Sequence, residues 1–556
     1  MSPTCRPSPL PCRFTVILLL LLGVASFRLL AQGFQPLPDF QPDPVQLGRL
    51  SRTLSLLRSA NPTNHPVVRV IFYGQSITIY PWWQEVSDRL KAAYPHARFE
   101  IQNLAISGFM ADRLMYTCEQ DVVPLQPDLI LLHAYGYEAE MGRLLERLRW
   151  QTTADVLVQM DHPLTDGELA EVSNAEQLMG TNPLSWAYRN YVAIPRQAER
   201  TGCCVAAVRD YWKSYCRARG RTAGQLLADA THPNEEGNHL MAAAVLAYLI
   251  PATPPPDVDP WATDGVRAWT WRRDPSRLLQ RLVVDFTGSR LDAVTDAEAA
   301  ESIRLTVDGG KPSELASIRS FGRTTPVPGQ PWPALTSVDS VAPRLAETWT
   351  VSILGLSENN SRIEFRVDGS KTGFDGVGTS QTHFVSNSGR VVIPIWSWLL
   401  GYALNSAGIG LPKDYRIEWK SDWVGVDEFR PRAPRGVGDE ATVTLVSGLP
   451  DGVHRLVLEG ASLASVRSLR VFRPRGLASV VEISREETPI RPSVGWRYRL
   501  GGWGFELRGS DLAGVEVESS TNLVDWLPFA GSRQHISNWL PEMQEEVRYF
   551  RIRGGR

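Results

Sequence analysis

Between residues 67 and 250, short apolar runs alternate with stretches of helical periodicity. The runs 67–73, 99–106, 129–134, 155–160 and 203–208 have strand length and composition. Apolar positions recur at helical spacing over 83–94, 111–122, 138–150, 184–200 and 237–249. Five strands alternating with helices predict a parallel sheet covered on both faces, with right-handed crossovers. The preceding residues 32–66 are Pro-rich and polar, and predict a lead-in with one short helix near 45–57.

The segment PATPPPDVDP at 251–260 opens a linker reaching to about 280, because proline pre-stiffens the chain and cannot continue a helix. Beyond it helical periodicity fades. Strand-like runs recur between Gly, Asn and Asp turns at 282–286, 303–307, 349–353, 362–367, 390–394, 415–419, 442–446, 454–458 and 468–472. That spacing predicts one β-sandwich or two over 281–475. Residues 495–556, with the closing run 548–553, read as a small separate β module.

The first residues change the count of folded chain. Arg6 and Arg13 precede an apolar stretch over 14–27, and Arg28 ends it. The stretch is too short to span a bilayer and predicts a secretory signal peptide cut after Ala31, with Ala25 as a second option. The predicted location is therefore secreted or periplasmic. Removing residues 1–31 takes away three Arg and no acid, so the net charge moves from −2 to −5. A mildly acidic protein attracts neither nucleic acid nor an anionic membrane, and no later apolar run is long enough to cross one. Four cysteines remain (Cys118, Cys203, Cys204 and Cys216), too few for a disulfide scaffold, although an exported chain leaves room for one bridge, with Cys118 a candidate. No CxxC or nearby His pair points to zinc.

The informative chemistry lies in two fragments. In VIFYGQSIT (70–78) a strand runs into Gly74, and Ser76 follows just past it. Ligands bind beyond the C-terminal ends of strands in open parallel sheets, so Ser76 is placed as a nucleophile; a turn or helix-cap serine is the plainer alternative. In LADATHPNEEGNHLM (227–241), Asp229 and His232 stand three apart before a helix. A serine hydroxyl is weak at its own pKa and needs a base. His232 is the candidate base, and Asp229 the carboxylate that orients it.

These fragments resemble the SGNH (GDSL-type) hydrolase family over about 67–250. Gly74-Gln75-Ser76 matches the first block with Gln in place of Asp. Asn103-Leu104-Ala105-Ile106-Ser107-Gly108 resembles the second, and Asp229-Ala230-Thr231-His232 the last. The resemblance implies a flavodoxin-like three-layer α/β/α fold, a catalytic triad of Ser76, Asp229 and His232, and an oxyanion hole from the backbone N–H groups of Ser76 and Gly108. It requires no metal or organic cofactor. The third block departs: Gly136-Tyr137-Glu138-Ala139 stands where the family has Gly-x-Asn-Asp. An ionised Glu138 accepts hydrogen bonds only, so either Glu138 is protonated, or it points away while His133, Tyr135 or Tyr137 supplies the lost donor. Glu138, His133 and His162 are the candidate substrate contacts, His162 because it follows the fourth strand beside Asp161. Trp82 and Trp83 are either an aromatic wall or a helix start packed on the sheet.

Thirteen of the 18 Trp lie beyond residue 252. Buried Trp fills a sandwich core and exposed Trp stacks on sugars. Trp396 and Trp398 are expected on one strand face, as the best sugar platform. The run 368–376 offers Asp368 and Asp375 either to Ca²⁺ or, more simply, to a tight turn. Residues 448–454 look like the closing hairpin of jelly-roll modules attached to carbohydrate esterases. The sequence thus predicts an exported serine esterase acting on an acyl, and by family analogy acetyl, ester of a carbohydrate. An acyltransferase on the same triad and an inactive domain in a carbohydrate-binding surface protein are the alternatives.

Overall fold

The computed structural model describes residues 40–270, 280–315, 319–450 and 452–474, together with five strands further on. The predicted signal peptide, residues 271–279 of the linker and most of 495–556 lie outside the described residues.

The lead-in forms two short helices, Pro44–Gly48 and Ser51–Arg58, where one was expected. Five parallel strands follow: β1 (Val67–Gly74), β2 (Arg98–Asn103), β3 (Leu129–His133), β4 (Asp155–Gln159) and β5 (Cys204–Ala206). Their spatial order is β2-β1-β3-β4-β5, the doubly wound arrangement. Successive residues of a strand point to opposite faces. Ile71 and Tyr73 therefore enter one core with the helices Ala111–Asp121, Glu138–Gln151 and Ile194–Thr201. Val70 and Phe72 enter the other with Trp82–Ala93, Val208–Arg219 and Glu235–Leu249. The helix Val208–Arg219 has no counterpart in the predicted set. Its apolar stripe of Tyr211, Trp212 and Tyr215 is broken by charged neighbours along 209–219, which hides the period. Each large side chain fully removed from water here, such as Phe72 or Trp82, contributes about 1.5–3 kcal/mol relative to exposure.

Beyond these elements the described residues form mainly antiparallel sheets, so an α/β domain is followed by β-sandwich structure. The strands β6 (Val266–Thr270), β7 (Arg281–Thr287), β8 (Arg290–Thr295) and β9 (Ile303–Val307) open a sandwich. The strands β10 (Arg319–Phe321), β11 (Glu347–Leu356), β12 (Ile363–Gly369), β13 (Gly373–Thr379), β14 (Phe384–Val385), β15 (Val392–Ile393) and β16 (Arg416–Trp423) come next. The sandwich then resumes with β17 (Glu428–Phe429), β18 (Ala441–Ser447), β19 (Val453–Glu459) and β20 (Val466–Phe472). Its two sheets, β17-β9-β19-β7 and β18-β8-β20-β6, close on one core that includes Leu305, Leu456 and Leu469. The intervening sheet β10-β16-β11-β12-β13 belongs to a separate unit inserted into the sandwich's sequence. That insert does not pack only on itself. Its Val327, Trp332, Trp349 and Phe365 continue the apolar core that holds Tyr73 and Leu114 of the α/β domain. Near the C-terminus, β21 (Ser493–Arg499) and β22 (Gly502–Arg508) form a hairpin, and β23 (Glu516–Ser520), β24 (Leu527–Pro528) and β25 (Tyr549–Arg553) form a three-stranded sheet.

The strand expected at Trp396 and Trp398 is corrected, and the tight turn expected over 368–376 is borne out. Cys118, Cys203, Cys204 and Cys216 are all buried, and no bridge joins them among the described residues. Trp396 lies within a 3₁₀ turn at Ile395–Ser397 and Trp398 just after it, not on a strand, because Pro394 leads the chain out of β15. Trp396 stays partly exposed beside His383, whereas Trp398 packs on Phe365. The run 368–376 is the β12–β13 hairpin: Arg366 engages Asp368, and the Asp375 carboxylate accepts from the Ser388 N–H and hydroxyl. Among the described residues no helix is long and apolar enough to cross a membrane. No group of three or more His, Cys, Asp or Glu there is placed to hold a metal ion.

Candidate active site

The site starts from the end of β1. Gly74 has φ of +155°, a conformation that L side chains rarely adopt, and a Cβ there would sit 2.0 Å from the His133 carbonyl oxygen on β3. Only glycine lets the two strands stay this close while the chain turns. Gln75 is extended, and Ser76 opens the short helix Ser76–Ile79 at the C-terminal edge of the sheet. The next loop is tied to this turn. The Ile106 N–H donates to the Gly74 carbonyl at 2.9 Å, and the Asn103 side chain donates to the Thr78 carbonyl at 2.7 Å. Gly108, exposed and at φ +77°, therefore lies on the loop beside Ser76.

Asp229 and His232 arrive from the other end of the domain. One Asp229 carboxylate oxygen accepts the backbone N–H groups of Thr231 and His232 at 2.7 and 2.8 Å, which folds 229–232 into a tight turn. The second oxygen lies 2.8 Å from His232 Nδ1. These contacts, led by the His232 N–H, push the Asp229 carboxyl down to about 2. His232 Nε2 is 2.8 Å from Ser76 Oγ. The structure thus brings Ser76, His232 and Asp229 into one hydrogen-bonded chain across 156 positions of sequence. An imidazole held between a hydroxyl and a carboxylate in this way can take the hydroxyl proton and be stabilised as its charged form.

The three candidate substrate contacts do not face the site as expected. His133 is fully buried, in register with Gly74, and its Nε2 lies 3.4 Å from Asp161. His162 is equally buried; its Nε2 is 2.9 Å from the Thr231 carbonyl, so that nitrogen carries the proton. Burial pushes His162 down to about 3, and the neighbouring His133 adds to the shift, so the ring is neutral. His162 thus supports the residue before His232 from behind. Glu138 is the first residue of the helix Glu138–Gln151 and accepts from Arg196 Nε at 2.6 Å and Gln197 Nε2 at 2.7 Å. Partial burial works against its ionisation, but Arg196 and Gln197 outweigh that and hold the carboxyl below its usual range. Glu138 is therefore a carboxylate paired with a neighbouring helix, which fits the alternative in which it points away and not the one in which it is protonated. Trp82 is buried against Phe72, with its indole N–H on the Ile77 carbonyl, so it packs the helix on the sheet.

Sequence reasoning missed two supports. Tyr80 stacks on the His232 ring, centroids 4.8 Å apart and planes 8° apart. Its signal was its place just after the helix that carries Ser76. Arg189 donates from Nε to Asp161 at 2.7 Å and from its terminal nitrogens to the Ala134 and Gly136 carbonyls. It clamps the loops that follow β3 and β4. Burial works against the Asp161 charge, but Arg189 and His133 together hold that carboxyl well below the usual range. No motif marks Arg189, because its partners are backbone groups brought near by the fold.

No family model matches the chain, and no curated protein matches its sequence. Among solved structures it is similar to Axe2, an acetylxylan esterase from Geobacillus stearothermophilus, at 16% identity and TM-score 0.28, over 34% of this chain and 96% of that one. It is also similar to a two-domain esterase (CEX) active on acetylated mannans, at 12% identity and TM-score 0.30, over 78% of this chain and all of that one. These low scores add no residue to the site.

Proposed function

We propose that the chain is a serine esterase of SGNH type that removes an acyl group, acetyl by family analogy, from a carbohydrate. The single observation that carries the reading is the Ser76–His232–Asp229 chain, with 2.8 Å at each link to the imidazole. Ser76 Oγ attacks the ester carbonyl while His232 Nε2 takes its proton. The carbonyl oxygen becomes an oxyanion, and the backbone N–H groups of Ser76 and Gly108 donate to it. Collapse of this intermediate expels the alcohol, which takes the proton from His232. Water then attacks the acyl-serine, gives its proton to His232, and leaves the acid product with Ser76 restored. Asp229 holds the imidazole in the tautomer with its proton on Nδ1. The carbohydrate is supported by the Trp-rich β region and the family resemblance, and export by the leader sequence.

The experiment is hydrolysis of p-nitrophenyl acetate. Ser76→Ala is expected to lose roughly 10⁴- to 10⁶-fold in kcat. An unchanged rate would remove Ser76 from the mechanism. One observation favours a second reading, an inactive domain in a carbohydrate-binding protein: Glu138, ionised, stands where an amide donor is expected. A fluorophosphonate probe separates the two. Labelling that disappears in Ser76→Ala supports the esterase; tight glycan binding without labelling supports the inactive protein.

A further inference from the structure

The insert of the β region reaches the loop that carries Gly108 through two side chains, Arg323 on the Leu104 carbonyl at 3.3 Å and, nearer Gly108, Trp332. Trp332, almost wholly buried, donates its indole N–H to the Ser107 carbonyl at 2.6 Å. Its six-membered ring lies against one side of the next residue, so that a Cβ added to Gly108 would lie 3.3 Å from it. Trp332 is itself held. Its carbonyl accepts the Val327 N–H at 2.8 Å, and its ring stacks on Tyr402, centroids 5.7 Å apart. Nearby, Arg323 of the same unit donates to both Asp121 carboxylate oxygens at 2.9 and 2.7 Å, which seats the insert on the α/β domain.

A trans peptide is planar and points its N–H opposite to its C=O. Fixing the Ser107 carbonyl against Trp332 therefore fixes the direction of the Gly108 N–H. That N–H donates to no backbone carbonyl among the described residues. Glycine crosses between conformations at little cost, so the 107–108 peptide, unclamped, is free to rotate and aim its carbonyl where its N–H should be. A carbonyl in that place would repel the oxyanion.

We propose that Trp332 is a positioning residue: it clamps the Ser107–Gly108 peptide so that Gly108 N–H is available to the oxyanion, and the β insert thereby completes a site otherwise built from the α/β domain. The inference rests on the esterase reading. It also assigns to the insert a role in the chemistry, separate from any binding of glycan.

The test uses the full chain and p-nitrophenyl acetate, with active sites counted by fluorophosphonate labelling at completion. Trp332→Phe keeps an aromatic ring and removes the donor. Deleting an oxyanion donor costs about a hundred- to a thousand-fold, and loosening one costs less, so kcat per labelled site is expected to fall by roughly 10- to 100-fold with KM unchanged. A purely structural role would lower the melting temperature or the labelled fraction and leave kcat per labelled site alone. A second replacement, β-(3-benzothienyl)alanine at position 332, keeps the fused ring and puts sulfur where the N–H was; it is expected to show the same loss and guards against misfolding of the phenylalanine variant. A kcat per labelled site within twofold of wild type in the benzothienyl protein overturns the role of Trp332 and leaves the esterase standing. A wild-type protein that neither hydrolyses the ester nor takes the label overturns both.

Discussion

The two sides of the Ser76 turn are built by different means. On the His232 side the parts are local: Asp229, Thr231 and His232 fold onto one another within four residues, and both imidazole nitrogens and both carboxylate oxygens have partners. On the side proposed to hold the oxyanion the parts are distant. The 106–108 loop is tied to Gly74, Glu138 turns away to Arg196, and Trp332 comes from another unit. A local turn reforms its hydrogen bonds whenever the backbone closes, whereas a peptide aimed by distant packing depends on every surface in between. Changes to the first side should therefore be severe and confined to the chemistry. Changes to the second should be graded.

The sharpest test of the relay side is Asp229→Asn. The amide preserves shape, yet it loses the charge and can present its NH₂ to His232 Nδ1, which favours the wrong tautomer. On the proposed mechanism kcat falls by about 10³- to 10⁴-fold, measured with the acetate ester. Because the carboxyl is pushed down to about 2, it remains ionised across the working range, so an acid limb near neutrality belongs to another group. A loss below tenfold would show that solvent at this exposed carboxylate can replace it, and the relay would be less tightly local than the geometry suggests.

A smaller effect is expected one step behind. His162 supports the Thr231 carbonyl and is buried neutral. Its folded value of about 3 lies below the value near 6.5 of a solvated imidazole. A depressed value contributes stability that is complete above the unfolded pKa and is lost as the pH falls toward the folded one. Wild type should thus lose melting temperature from about pH 6.5 down toward 3 more steeply than His162→Gln, whose side chain keeps an N–H for Thr231 and does not titrate. The variant should lose roughly tenfold or less in kcat at neutral pH, since the carbonyl keeps its donor. Parallel melting curves against pH in the two proteins would remove His162 as a buried neutral support.

What the sequence made legible follows the same division. The five strands of the parallel sheet and most of its helices were readable because a strand buried on both faces is a short unbroken apolar run, whereas an amphipathic helix spaces its apolar positions at a period of 3.6. Ser76, Asp229 and His232 were readable because each stands at a strand end or a short spacing. The insert's place was not readable: β9 and β17 of one sandwich lie 120 residues apart, and no local pattern says that they pair. Trp332 looked like any other tryptophan of the β region, since its partner is a backbone carbonyl of the first domain. His133 and His162 misled because the end of a strand is the right address for a ligand contact, and burial depends on the neighbours.

Glu138 gives the smallest effect and the finest discrimination. It stands where the resemblance expects an amide donor, so its charge is the main argument for an inactive protein. The structure spends that charge elsewhere. The carboxylate begins a helix, where the backbone favours an anion, and it bonds to Arg196 and Gln197. A partly exposed pair of this kind is worth about 0.2–1 kcal/mol. Glu138→Gln should therefore lower the melting temperature slightly and leave kcat within about threefold, because the charge removed was already paired away from the chemistry. A rise of tenfold or more would mean that the carboxylate does repel the developing oxyanion. The oxyanion side would then be held back by one residue, and the contrast with the fully bonded relay would be one of charge, not of distance.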